Sequence, residues 1–116
     1  MDSILTSIKK LLGVADTYTH FDSDIIIHIN SVLSVLTQMG VGPQEGFSIE
    51  DNSTAWSDFD SNNAKTSFIK SYVYLKVKMI FDPPTLSPVI VAIKATIAEL
   101  EWRISAEVES TIVEEV

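Results

Sequence analysis

Apolar residues recur three and four positions apart along much of the chain, the spacing that places side chains on one face of an α-helix. The first such stretch, residues 4–12, follows Asp2 or Ser3, either of which can cap a helix, and it ends at Gly13. A second, longer stretch begins near residue 22 and is closed by Gly40. The apolar positions are Ile4, Leu5, Ile8, Leu11 and Leu12 in the first stretch, and Ile25, Ile26, Ile29, Val32, Leu33, Leu36 and Met39 in the second.

The second half of the chain predicts two more helices, separated by a proline break. One runs over about residues 63–80 and stops at Asp82-Pro83-Pro84, because proline cannot continue the helical hydrogen-bond ladder. The other starts with Ser87 as N-cap and proline at the first helical position, and it continues to about Ala106. The apolar positions of the third helix are Phe68, Ile69, Tyr72, Val73, Leu75, Met79 and Ile80.

Glycine, proline and polar residues fill the segment between the second and third helices. Residues 41–59 contain Gly42-Pro43 and Gly46, which predicts a long loop with a short strand over residues 47–49 and a helical turn near Trp56. The expected fold is therefore all-α, a small helical bundle of about four helices. We expect residues 1–106 to form a single domain and residues 107–116 to be an acidic C-terminal tail that stays flexible until bound.

Two apolar stripes run along the predicted fourth helix, whereas packing on a single core needs one. The second stripe has small residues in its middle and a tryptophan at its end, which allows another helix to approach closely and supplies an aromatic anchor. Val89, Ile93, Ile97, Leu100 and Ile104 form the first stripe, and Val91, Ala95, Ala98 and Trp102 form the second. We expect the second stripe to contact another subunit; the alternative is a helix sandwiched within the monomer.

Lys76 interrupts the apolar surface of the third helix between Tyr72 and Ile80. Such a lysine most often lays its aliphatic stem along the apolar surface and keeps its ammonium group in water. Its charge can instead pair with an acidic residue of a neighbouring subunit. The sequence allows either role.

Charge is unevenly distributed along the chain. The 8 basic and 16 acidic residues give a net charge of −8, which repels nucleic-acid phosphates and anionic lipid and argues against a DNA-coating or membrane-surface role. No Lys or Arg occurs between residues 11 and 64, lysines then dominate up to residue 94, and the chain beyond Arg103 is acidic again. Oppositely charged regions allow copies to pair head to tail, the geometry that closes into rings. Two solvated faces without a partner are the alternative.

The remaining composition fits a folded domain of 116 residues, with 46% hydrophobic and 21% charged residues. The absence of cysteine suits a reducing compartment and favours assembly in the cytoplasm. Met1-Asp2-Ser3 lacks the basic start of a signal peptide, and no apolar run approaches the roughly 18 residues needed to span a bilayer. We therefore expect no association with membranes.

Candidate patterns for catalysis or metal binding are weak. His20 and His28 lack a metal-ligand spacing. Asp58, Asp60 and Asn62 match the first three oxygen ligands of a calcium loop, but the glycine required at the sixth position is missing. Capping of the third helix is the simpler explanation of this cluster. We predict no catalytic residue, no metal and no cofactor.

Five segments follow one another along the chain: ILTSIKKLLG, FDSDIIIHINSVLSVLTQMGVGP, FSIEDNSTAWSDF, YVYLKVKMIFDPP and ELEWRI. Together they resemble the small head-tail connector proteins of long-tailed bacteriophages and prophages, the adaptor family that completes the head below the portal. The resemblance covers about residues 2–105. It rests on the order of four helices, the loop with Trp56 and the Asp82-Pro83-Pro84 break, not on a chemically specific motif.

The resemblance implies a structural, non-enzymatic subunit that assembles as a homo-oligomeric ring on the portal protein and forms part of the tunnel for genomic DNA. It also implies contact with a tail-side head-completion or stopper protein, and a place at the head-tail junction of the virion. In that family the C-terminal helix and tail commonly engage the portal, which here corresponds to residues 99–116 with Trp102 as the anchor. The candidate interface residues are thus Val91, Ala95, Ala98, Trp102, Lys76, Glu99 and Arg103.

A function of another class stays open. An acidic helical binding module or inhibitor that acts on one basic protein partner would have the same composition. It would form a tight one-to-one complex, whereas a connector would be a stoichiometric component of DNA-filled heads.

Overall fold

The computed structural model describes the backbone of residues 3–60 and 63–115 and the side chains of residues 3–60 and 67–109. Its helical content confirms the all-α prediction, and no strand occurs within these residues. The predicted helical turn near Trp56 is a short helix of its own, which makes five helices in this part of the chain. They are α1 (Ile4–Leu12), α2 (Asp22–Gln38), α3 (Trp56–Phe59), α4 (Asn63–Phe81) and α5 (Ser87–Glu115).

Most helix ends lie where the sequence places them, and local hydrogen bonds explain why. The Oγ of Ser3 accepts a hydrogen bond from the Thr6 N–H at 3.2 Å at the start of α1. Gly13, with a φ of 82°, ends that helix in the left-handed conformation that glycine adopts without strain. Helix α4 ends at Phe81, one residue before Asp82-Pro83-Pro84.

The predicted end of the last helix near Ala106 is wrong, because α5 continues to Glu115. Val108 is partly buried against the core and so extends the packed face of the helix by another turn. The segment beyond it contains neither glycine nor proline to stop the helix. The flexibility expected for residues 107–116 in the unbound chain stays a prediction.

The strand predicted over residues 47–49 is also wrong, because a side chain takes the place of a partner strand. The Ile49 N–H donates to the Asn30 Oδ1 at 2.8 Å, and the Asn30 Nδ2 donates to the Ile49 carbonyl at 3.0 Å. Both backbone groups of Ile49 are thereby satisfied by one amide of α2. The loop is held against the bundle without a sheet.

Helix α4 lies at the centre of the bundle. It packs against α1, α2 and α5, which explains why its sequence is apolar nearly all round. Its side chains Tyr72, Val73 and Val77 are completely buried. From the other elements, the core receives Ile4, Leu5, Ile8, Ile25, Ile29, Val32, Leu33, Leu36, Val41, Ile49, Trp56, Phe59, Leu100 and Ile104.

A lysine is part of this interior. Lys9 is 1% exposed, and its Nζ lies 2.8 Å from the carboxylate of Asp22. It also donates to the carbonyl oxygens of Asp16 and Tyr18, at 3.0 and 2.9 Å. These three contacts hold the connection between α1 and α2 in place.

Candidate protein-binding surface

One face of α5 packs on α4 through a mixed apolar and polar contact. Leu100 and Ile104 are buried, and Ile97 is partly buried against them. The hydroxyl of Tyr72 on α4 donates to the carboxylate of Glu101 at 2.8 Å. Burial, followed by this hydrogen bond and the charge of Glu101, raises the pKa of Tyr72 far above its usual range. The contact fixes which face of α5 is turned away from the core.

The second apolar stripe of α5 lies on the face turned outward. Trp102 is 71% exposed and Val91 is 67% exposed, and the two alanines between them, Ala95 and Ala98, are exposed as well. We call these four residues the α5 stripe. From Val91 to Trp102 it extends about 16 Å along the helix axis. A sandwiched helix within the monomer is therefore the wrong alternative, since nothing in the described part of the chain covers this stripe.

Glu99 and Arg103 flank the α5 stripe. The Arg103 Nη2 lies 2.9 Å from the Glu99 Oε1, and its Nε donates to the same oxygen at 3.2 Å. Both side chains are about half exposed, at 59% for Glu99 and 49% for Arg103. An exposed pair four residues apart on a helix contributes only about 0.3–0.5 kcal/mol, so a partner can separate it at little cost.

Lys76 lies apart from the α5 stripe, on α4. Its Nζ is 5.9 Å from the centre of the Tyr72 ring, a cation–π distance. Its side chain is half-buried and borders a shallow, open groove of about 270 Å³ between α4 and α5. We call this the α4/α5 groove; its lining residues are Lys76, Met79, Ile80, Lys94 and Ile97.

The interface residues predicted from the sequence thus lie on two neighbouring surfaces, the α5 stripe with its flanking pair and the α4/α5 groove. Lys94 lies on α5 between the groove and the α5 stripe, so the two surfaces are continuous. The sequence did not single out Lys94 or the exposure of Ile80, which is 53%. No sequence pattern could have revealed that Ile80 is exposed, because apolar spacing does not tell which turn of a helix extends beyond its neighbours.

The first residue of the calcium-like pattern, Asp58, has a structural partner. The Asp58 carboxylate accepts a hydrogen bond from the Ala55 N–H at 2.9 Å and so caps α3. Asn62, the third residue of the calcium-like pattern, lies outside the described residues. Within residues 3–60 and 67–109 no group of three or more His, Cys, Asp or Glu side chains is arranged to hold a metal. The helices of this part of the chain are also too short or too polar to cross a membrane.

The model of a family described as phage connector protein matches residues 4–111, which include α1 to α4 and most of α5. No curated protein and no solved structure matches the chain.

Proposed function

The chain belongs to the phage connector protein family, and we propose that it is a head-tail connector (adaptor) subunit that forms a ring under the portal protein. As a phage connector it is a component of the virion. We place it at the head-tail junction, where the ring would form part of the conduit for DNA between head and tail. Its partners in this proposal are other copies of itself, the portal protein and a tail-side stopper protein.

The observation that carries the proposal is the uncovered α5 stripe. An exposed tryptophan next to small residues is costly to leave in water and matches the composition of protein–protein hot spots. Ala95 and Ala98 let a partner helix approach closely, while Trp102 can enter a pocket of that partner. In a connector subunit we assign this surface, with Glu99 and Arg103 at its edge, to the contact with the portal or an adjacent subunit.

The distribution of charge supports contacts between copies. Lys76, Lys78 and Lys94 lie on the α4–α5 side, whereas the segment from residue 11 to residue 64 carries acidic residues and no Lys or Arg. Opposite charges on two sides of one subunit favour a head-to-tail arrangement. The net charge of −8 also suits a conduit through which DNA slides without being held.

We propose no catalytic activity, metal or cofactor for this chain. Two of the polar contacts that the described structure brings together, Lys9 with Asp22 and Tyr72 with Glu101, join helices or their connections. A subunit that only connects other proteins needs a surface that binds them, and the α5 stripe is such a surface in this proposal.

The first test is mass spectrometry of gradient-purified particles from the producing host. We expect the chain in DNA-filled heads, in several copies per particle and at a fixed ratio to the portal protein. Its absence from heads and tailed particles, together with a tight one-to-one complex with a single basic protein, would favour the inhibitor class instead.

The second test is the substitution Trp102→Ala, with Ile27→Ala on α2 as the matched control. Both side chains are strongly exposed, Trp102 by 71% and Ile27 by 60%, so both variants should unfold within about 0.5 kcal/mol of the parent. Only Trp102→Ala should lower incorporation into particles, by roughly tenfold or more for a hot-spot residue. Equal incorporation of the two variants would refute the role of the α5 stripe.

A further inference from the structure

The α4/α5 groove combines an apolar lining with two lysines. Met79, Ile80 and Ile97 supply the apolar lining, and Lys76 and Lys94 line the groove beside them. Lys78 and Arg103 are paired with acidic residues of their own helices or helix ends, at 3.6 and 2.9 Å. Among the described residues no carboxylate pairs with Lys76 or Lys94. The groove therefore suits a segment that carries carboxylates beside apolar side chains.

The chain itself contains such a segment. Residues 109–116 read ESTIVEEV, with three glutamates, three aliphatic residues and no basic one. Helix α5 is continuous up to Glu115, and the groove lies near its beginning. Ile97 and Glu115 are separated by about 27 Å along the helix axis at 1.5 Å per residue, farther than the side chains can bridge. A copy of the chain cannot place this segment in its own groove.

We propose that the α4/α5 groove binds residues 109–116 of a second copy of this chain, which leaves residues 99–108 for the portal contact that the resemblance implies. Glu114 and Glu115 of one copy would face Lys76 and Lys94 of the next, and aliphatic side chains would cover Ile80. Such a contact joins unlike surfaces, so it repeats from copy to copy and can close into a ring. The inference rests on the proposed function, because it names the neighbour that the connector ring would supply.

Disulfide cross-linking tests the contact directly, because the chain has no cysteine of its own. Full-length Ile80→Cys and Val113→Cys variants are mixed and oxidised, both as purified protein and co-assembled in particles. The control mixture replaces Ile80→Cys with Ile27→Cys, which is similarly exposed, by 60% against 53%. We expect mixed disulfide dimers from the groove pair at roughly tenfold higher yield than from the control pair. Equal yields, or no cross-link in either sample, would overturn the proposal.

Charge reversal tests which groups hold the segment. Lys76→Glu with Lys94→Glu, or Glu114→Lys with Glu115→Lys, should each lower the cross-linking yield by roughly tenfold. In a third mixture, the Ile80→Cys copy carries Lys76→Glu with Lys94→Glu, and the Val113→Cys copy carries Glu114→Lys with Glu115→Lys. This mixture should recover the cross-linking yield. Lys78→Glu, on α4 but outside the groove lining, is the matched control and should leave the yield unchanged. Failure of the mixed pairs to recover would refute the assignment of these charges.

The two proposals can fail separately. Particles that contain the chain but show no groove cross-link would retain the connector function and exclude this contact. Cross-links in purified protein, with no chain in particles, would retain the contact and exclude the connector function.

Discussion

Lys9 is a buried charge whose partners surround the connection between α1 and α2. The Oδ1 of Asp22 is buried, and the Lys9 ammonium at 2.8 Å is the partner that the structure gives it. Removing one member of such a pair leaves the other without compensation, although the side chain of Asp22 is 25% exposed and water can reach part of it. This residue makes α1 depend on the loop that follows it.

We expect Lys9→Met to lower the free energy of unfolding by about 2–4 kcal/mol, measured by urea denaturation followed by circular dichroism. Lys10→Met is the control, because Lys10 is exposed and its replacement should cost no more than about 0.5 kcal/mol. If the two variants are equally stable, the buried ion pair contributes nothing to the fold.

Tyr72 couples the contact between α4 and α5 to pH. Its neutral form is favoured in the folded chain, so the unfolded chain releases the phenolic proton first, at about pH 10. Above that pH the folded state binds more protons than the unfolded state, and stability falls as the pH rises.

We expect the free energy of unfolding to decline as the pH rises above about 10 in the parent, and to decline less in Tyr72→Phe. The measurement is urea denaturation at a series of pH values. Parallel slopes for the parent and Tyr72→Phe would show that this hydroxyl is not the titrating group.

At the scale of elements, the loop between α2 and α3 depends on one close approach. Gly42 has a φ of +79°, and a Cβ there would lie 2.5 Å from the Phe59 ring of α3. Gly46, with a φ of +98°, has open space around it. The two glycines share the left-handed conformation and differ in their surroundings.

Alanine at either position should therefore cost stability, but by different amounts. Gly46→Ala carries the backbone cost of about 1–2 kcal/mol, whereas Gly42→Ala must also displace Phe59, which adds about 1–3 kcal/mol. Urea denaturation of both variants measures the difference. If both variants lost the same free energy of unfolding, the Phe59 ring would move away from the added methyl group at no measurable cost.

The helices themselves could be predicted from the sequence, because their signals are local. Ser3 and Gly13 mark the ends of α1, and the prolines after Asp82 mark the end of α4. These helix ends need no knowledge of the neighbouring helices. The two apolar stripes of α5 were also visible in the sequence, but their spacing fitted either a subunit contact or a helix sandwiched within the monomer. The exposure of Val91 and Trp102 in the structure decides against the sandwiched helix.

Features that depend on distant partners escaped prediction. Lys9 lies four residues after Leu5 and three before Leu12, on the apolar face, but only the folded loop supplies its carbonyl and carboxylate partners. The amide of Asn30 replaces a strand for Ile49 across 19 positions of sequence. The α4/α5 groove likewise depends on how two helices are aligned, which spacing along one helix does not give.

At the scale of the whole molecule, α4 packs against α1, α2 and α5, whereas α5 packs on α4 and exposes the face that carries Val91 and Trp102. The molecule measures 47 × 35 × 20 Å along its principal axes. The α5 stripe lies beside the α4/α5 groove, so one side of the subunit carries both proposed contacts. Changes there should alter assembly, whereas changes around Lys9 or Gly42 should alter folding.

The negative net charge of the chain predicts that it does not bind DNA. A subunit of a DNA conduit should not retain the DNA that passes, and a net charge of −8 repels phosphates even though Lys76 and Lys94 are accessible in a single copy. We expect no retardation of double-stranded DNA by the purified chain in a gel shift at about 0.1 M salt. A retarded band would contradict this expectation. Suppose that the double variant Lys76→Glu with Lys94→Glu abolished the retarded band and Lys78→Glu did not. The α4/α5 groove would then bind DNA phosphates and not the acidic segment of a second copy.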